Sequence, residues 1–171
     1  EEKQIERCLK SIRDQNYDQN NVEIFLADAG CSDNTVEIAK KFGVTYFFNK
    51  RKLSEYAYKE AIAKCKGDYF VFFAADNELP NKNWINFMIE PFKYNDNIEA
   101  VYTHISVPKK SSLINKHYSF LHVEPLTWFI YKDEANPKYF TNKYFVYEER
   151  ENYKIFEFDK KNFPLIATAQ G

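Results

Sequence analysis

Ile5, Cys8, Leu9 and Ile12 recur at the i, i+3, i+4, i+7 spacing of one helical face, so the chain opens on an amphipathic helix with Glu1 and Glu2 in its first turn. A compact α/β domain normally places a strand before such a helix, and no strand precedes Glu1 in this sequence. Residues 22–27 form a short apolar run that predicts a buried strand, with 28–32 as the loop at its carboxyl end. Asp33 or Asn34 then caps a helix carrying Val36, Ala39 and Phe42; Gly43 ends it, and 44–48 reads as another short strand. Ser54 is the expected cap of a third helix, whose face carries Tyr58, Ala61, Ile62 and Cys65 and which Gly67 closes.

The run 69–75 is almost continuously apolar, the pattern of a parallel strand covered on both faces, and it stops at Asp76-Asn77-Glu78. Trp84, Ile85, Met88, Ile89 and Phe92 predict a fourth helix, and 98–103 a further strand. Beyond Ile105 the pattern is less regular. Segments 143–147 and 153–158 suggest a hairpin across a charged turn, and Trp128, Phe129 and Tyr131 are expected to pack a sheet face. Strand and helix thus alternate through the first hundred or so residues. The expected fold class is α/β: a mostly parallel sheet with helices on both faces, 22–27 and 69–75 as neighbours, and a small antiparallel C-terminal portion. Such sheets bind ligands at the carboxyl ends of their strands, where the loops at Asp28 and Asp76 both fall.

Composition narrows the function classes. With 44% hydrophobic residues, four glycines and six prolines in 171 positions, the chain is an ordered domain able to bury a core. A net charge of −1 provides no field of one sign to draw nucleic acid or an anionic membrane surface. Three dispersed cysteines without a CxxC pair suggest free thiols in a reducing compartment, hence the cytoplasm or the cytoplasmic face of a membrane. The longest apolar run is too short to span a bilayer, so membrane contact is expected only through segments outside this chain.

The loop chemistry carries a resemblance. The stretch E-I-F-L-A-D-A-G-C-S-D-N-T at 23–35 matches a strand followed by D-x-G-S-x-D-x-T, with Cys31 where the first serine is usual. K-G-D-Y-F-V-F-F-A-A-D-N at 66–77 matches a K-G-[DE]-Y strand running into D-x-D, and residues 1–12 look like the helix that follows a P-x-Y-N-E strand end. In this order the three motifs resemble the family-2 glycosyltransferases of GT-A fold over roughly residues 1–104.

That resemblance implies a nucleotide-sugar-binding half (1–104) and the start of an acceptor-side half (105–171). It implies a UDP- or GDP-sugar donor, Mg²⁺ or Mn²⁺, an inverting mechanism, and a polyprenyl phosphate or glycan as acceptor. Glu1, Asp28, Ala75 and Asp76 are then the nucleotide-sugar-binding set, with Asp76 also the metal ligand at the last position of D-x-D. A hard cation takes oxygen ligands and is held by one or two carboxylates plus phosphate oxygens, which suits this pattern. The first acid of D-x-D is replaced by Ala74, with Asn77 or Glu78 as nearby substitutes; the family's R-N pair reads Tyr58-Lys59, leaving Lys52 or Lys59 to supply positive charge. The E-D pair that provides the family's base has no match before Gly171. Glu124 lacks its context, and His104, His117 and His122 are read as ordinary polar residues. The chain therefore reads as truncated at both ends, with the base expected after Gly171.

Two other readings stay open. A strand-end aspartate is often only a turn former, and Asp33 is read as a helix cap. Ala74 and the missing arginine fit a non-catalytic GT-A domain that binds a nucleotide sugar or a protein partner. A nucleotidyltransferase of similar topology would need a glycine-rich basic loop, which the sequence lacks.

Overall fold

The computed structural model describes residues 1–103, 106–116, 129 and 144–158. The chain divides into two compact units, Glu1–Lys93 and Tyr94–Gly171. Helix α1 spans Glu2–Arg13, with Glu2 in its first turn and Lys10 and Arg13 in its last, the arrangement a helix dipole favours. Its apolar stripe is the one expected: Ile5, Cys8 and Leu9 are buried. Ile5 and Leu9 meet Ala39 at the centre of the core, surrounded by Ile12, Ile24, Leu26, Ile38, Phe42, Val44 and Ala75.

Strand β1 (Phe25–Asp28) pairs in parallel with β2 (Thr45–Phe48), Phe25 opposite Thr45 and Asp28 opposite Phe48. Helix α2 (Thr35–Lys40) connects them, giving one βαβ unit. Gly43 ends this crossover in the left-handed conformation that only glycine adopts freely (φ +66°). Arg13 fastens the unit: its guanidinium donates to the Phe42 carbonyl at 2.9 and 3.1 Å and reaches the Val22 carbonyl at 3.4 Å. The last turn of α1 is thereby tied to the segment entering β1 and to the turn between α2 and β2.

Helix α3 covers Ser54–Ile62 and α4 covers Trp84–Tyr94. In α4 the predicted face holds, with Trp84, Ile85, Met88, Ile89 and Phe92 all half-buried. In α3 it does not. Ser54 is the first helical residue rather than the cap, and Ala57 is the buried position while Tyr58 and Ile62 stay largely exposed.

The clearest departure concerns 69–75. The run is not hydrogen-bonded into a sheet, and Phe70 and Val71 are 63% and 61% exposed, so it is not a strand covered on both faces. Among the described residues the parallel sheet consists of β1 and β2 alone, and neither pairs with this run. Rings hold it instead: Phe72 stacks on Tyr58 at 3.9 Å, Tyr69 meets Phe92 at 4.8 Å, and Phe73 faces Trp84 at 6.5 Å. Only its end, at Ala75, reaches the core. Segment 98–103 likewise forms no strand, following a turn in which the Ile98 amide bonds the Asn95 carbonyl.

In the second unit β3 (Val146–Glu149) and β4 (Lys154–Phe156) form the expected hairpin, shorter than predicted and with a bulge between Val146 and Glu148. Its turn closes through the Arg150 amide on the Tyr153 carbonyl, and Lys154 pairs with Glu149 at 2.8 Å. His104, His117, His122, Glu124, Trp128 and Tyr131 lie outside the described residues. The fold is thus α/β, with a parallel and a small antiparallel sheet. Among the described residues no helix is long and apolar enough to cross a membrane.

Candidate functional site

Asp28 is the last residue of β1 and is buried by its own loop. One carboxylate oxygen accepts the Cys31 amide at 2.8 Å, and the other lies 3.5 Å from the Tyr46 hydroxyl on the paired strand. Gly30, at φ +106°, allows the chain to fold back over the carboxylate. Burial is the largest single influence on this acid and pushes it up. The hydrogen bonds from the Cys31 thiol and amide, the Gly30 amide and Tyr46 together outweigh burial, so the carboxyl sits below its ordinary value and is charged at neutral pH. The Asp28 carbonyl also takes the Asn49 amide at 2.7 Å, binding the end of β1 to the loop after β2.

At the far end of the same loop, Asp33 caps α2 by accepting the Thr35 amide at 3.1 Å. Its second oxygen accepts the Glu2 amide at 3.2 Å and lies 2.8 Å from the Glu1 nitrogen. Glu2 replies, accepting the Asn34 amide at 3.1 Å. The N-termini of α1 and α2 therefore cap each other. The Thr35 hydroxyl and amide and the Glu2 amide all donate to the Asp33 carboxylate. Glu1 thus stands beside the loop that Asp28 begins. A shallow cavity of about 360 Å³ opens there, lined by Glu1, Glu2, Lys3, Gln4 and Asp33. Neither Asp28 nor Asp76 lines it.

Asp76 follows Ala75 in a tight turn, closed by the Asn77 amide on the Ala74 carbonyl at 3.0 Å. Its side chain is exposed, and among the described residues no hydrogen bond or ion pair engages its carboxylate. The turn is anchored from beneath by α1. The Cys8 sulfur lies 3.9 Å from the Ala74 carbonyl, and the Ser11 hydroxyl accepts the Leu79 amide at 3.0 Å. Buried Gln15 donates to the Asn81 carbonyl at 2.7 Å and accepts the Ile85 amide at 3.1 Å. Burial first, then the charges of Asp76 and Glu78, pushes the Cys8 thiol up to about 11, so it stays protonated. All three cysteines are free thiols.

Sequence reasoning missed Ser11 and Gln15 as supports of this turn. A signal was present: with Cys8 they fall at i, i+3 and i+7, so they prolong the buried stripe with polar residues that need partners. Among the described residues no three His, Cys, Asp or Glu side chains converge as a metal cluster. What Asp76 offers a cation is one exposed, unengaged carboxylate on a fixed turn. Oxygen chemistry of that kind fits Mg²⁺ or Mn²⁺ when substrate phosphates and water complete the shell.

A βαβ unit with acidic loops beside it belongs to the α/β class that takes ligands at the carboxyl ends of its strands. Within that class the assignment is specific. The model of glycosyl transferase family 2 matches residues 1–156, and the chain belongs to that family. It is 28% identical over 100 residues to a dolichyl N-acetyl-alpha-D-glucosaminyl phosphate 3-beta-D-2,3-diacetamido-2,3-dideoxy-beta-D-glucuronosyltransferase from Methanococcus voltae. That match covers 54% of this chain and 31% of the relative, so the chain spans about a third of the relative's length. No solved structure gives a significant match.

Proposed function

We propose that this chain is the donor-binding part of a glycosyltransferase that moves a sugar from a UDP- or GDP-sugar to an acceptor, with inversion. Family membership supports the reaction class, and Asp76 is the observation that carries the site. Of the two loop acids, Asp28 and Asp76, its carboxylate is the one that its own loop leaves uncovered. The leaving group in such a transfer is a nucleoside diphosphate whose charge grows as the glycosidic bond breaks. A divalent cation bound there would stabilise that charge. The residues of this chain would do the holding: Asp76 would present oxygen to the cation from the turn it shares with Ala75, and Asp28 and Glu1 would line the nucleotide side. The acceptor hydroxyl loses its proton to a carboxylate as it attacks the anomeric carbon. That base is assigned to no residue in 1–171.

The relative named above acts, by its name, on a dolichyl-phosphate-linked sugar. A lipid-phosphate-linked sugar or a glycan is the acceptor class that likeness supports here. The test is calorimetric titration of the whole protein with UDP- and GDP-sugars, with and without Mn²⁺. Metal-dependent binding that vanishes in Asp76→Ala supports the reading, and unchanged metal-dependent affinity in that variant sinks it. A second reading, a domain that binds the donor without transferring it, is favoured by one observation, Ala74 in place of an acid. Binding without sugar release over many protein equivalents of time would select it.

A further inference from the structure

Segment 106–116 carries the most exposed large apolar side chain among the described residues, Leu113 at 85%, with Ile114 beside it at 58%. The backbone beneath them is regular. The Ser111 amide closes a turn on the Pro108 carbonyl at 2.9 Å, and Ser112 then opens a helical turn at 113–116. The Ser112 hydroxyl accepts the Asn115 amide at 3.2 Å, and its carbonyl accepts the Lys116 amide at 3.1 Å. This cap fixes Leu113 and Ile114 as the first two residues of the turn and sets Lys116 three positions after Leu113, on the same side of it.

A single exposed aliphatic residue is ordinary, but this pair stands among charges of one sign. From 100 to 123 the sequence contains Lys109, Lys110 and Lys116 and no aspartate or glutamate, an asymmetry that the net charge of −1 over the whole chain conceals. Lys109 and Lys110 are exposed, and among the described residues no carboxylate pairs with any of the three lysines. The exposed run 69–72 differs, because its rings stack on Tyr58, on Phe92 and on one another.

We propose that 109–116 is a membrane-contact segment, which seats Leu113 and Ile114 at the headgroup–acyl boundary of an anionic bilayer and leaves the lysines among the lipid phosphates. The aliphatic side chains gain by leaving water, and the long lysine stems let the ammonium groups stay at headgroup level. Lipid phosphates supply the negative charge that the segment lacks. A nucleic acid backbone would answer the lysines but would leave the aliphatic pair in water. The contact accords with a lipid-linked acceptor but does not depend on the donor-binding reading, and a segment this short holds a bilayer weakly and reversibly.

The test uses the whole protein with vesicles of mixed phosphatidylcholine and phosphatidylglycerol, and with vesicles of phosphatidylcholine alone. Leu113→Asn combined with Ile114→Asn should weaken partitioning into the mixed vesicles about tenfold, as co-sedimentation reports. Lys109→Gln, Lys110→Gln and Lys116→Gln together should weaken it about a hundredfold, and should change nothing on phosphatidylcholine alone. A Leu113→Trp reporter should add blue-shifted fluorescence that acyl-brominated lipids quench, a local signal that persists even where another part of the protein holds the bilayer. A reporter left unquenched overturns the proposal, and so does equal partitioning of wild type and both combined variants. A melting temperature lowered by the aliphatic variant would mark a packing role and overturns it too, as does RNA binding as tight as that to the mixed vesicles. Nucleotide-sugar titration of these variants should match wild type, so failure here leaves the donor-binding reading standing.

Discussion

Asp28 and Asp76 both follow apolar runs, yet the protein holds them in opposite ways. Around Asp28 the loop folds back on its own carboxylate, which is covered by the Cys31 amide and approached by the Tyr46 hydroxyl. Around Asp76 the carboxylate takes no part in holding its turn, which is fixed instead through Ser11 on α1 and Gln15 just past its end, both far away in sequence. An aspartate that shapes its own loop has little coordination left for a ligand. One whose loop is shaped by others is free to bind. Under the proposed function, the difference would separate a wall of the donor site from the point that takes the cation.

The sharpest way to break that comparison is at Asp76. Asp76→Ala is expected to abolish metal-dependent nucleotide-sugar binding and, through loss of a charged ligand, to remove several kcal/mol of transition-state stabilisation, roughly a thousandfold or more in turnover. Its melting temperature should stay close to wild type, because among the described residues no hydrogen bond or ion pair uses the carboxylate. A large fall in melting temperature would place Asp76 with Asp28 as a structural acid.

Gln15→Ala should do the reverse. It leaves the Ile85 amide and Asn81 carbonyl without their partner, at a cost of about 2 kcal/mol measured by denaturant unfolding. Hydrogen exchange at Leu79 and Ile85 should quicken in parallel. Unchanged exchange there would mean that the Asp76 turn is held by something other than α1.

Asp28 provides a smaller, pH-dependent effect. Because its carboxyl is lowered in the folded protein, the stability it contributes is fully present above the ordinary aspartate value of about 4 and is lost as pH falls through the lowered value. Asp28→Asn should therefore flatten the acid limb of the stability curve below about pH 4, with melting temperature against pH as the readout. An unaltered acid limb would remove Asp28 from the acids that sense folding.

The smallest effect concerns Cys8, beneath the Asp76 turn. Buried and with its thiol raised to about 11, it should be alkylated more slowly at pH 8 than Cys31, which is also raised by the Asp28 carboxylate but is exposed, as mass spectrometry of the modified peptides would report. Labelling of Cys8 at the rate of Cys31 would show that the turn opens readily.

Much of this was legible beforehand, for reasons that differ along the chain. The stripes of α1 and α4, the stop at Gly43 and the C-terminal hairpin are local patterns, and local patterns survive folding. The run 69–75 misled because seven nearly continuous apolar residues state a preference for avoiding water but not which backbone they pair with. Ring contacts with α3 and α4 took the place of a ladder. Asp28 and Asp76 could be found as acids ending apolar runs. Their supports could not, because the bonds from Ser11 and Gln15 join residues 66 to 70 positions apart. Likewise Asp33 was readable as a cap, but its reach across to Glu2 was not.

Helix α1 touches one loop at each end: Glu2 exchanges caps with Asp33 and Asn34, while Ser11, with Gln15 just beyond the helix, holds the segment after Asp76. Its 12 residues therefore act as a ruler about 18 Å long. A ruler has a phase as well as a length. One residue inserted at its middle would add about 1.5 Å and turn one end by about 100° against the other. Substitutions along its solvent face leave both marks where they are, whereas any change in residue number forces one of the two loops to let go.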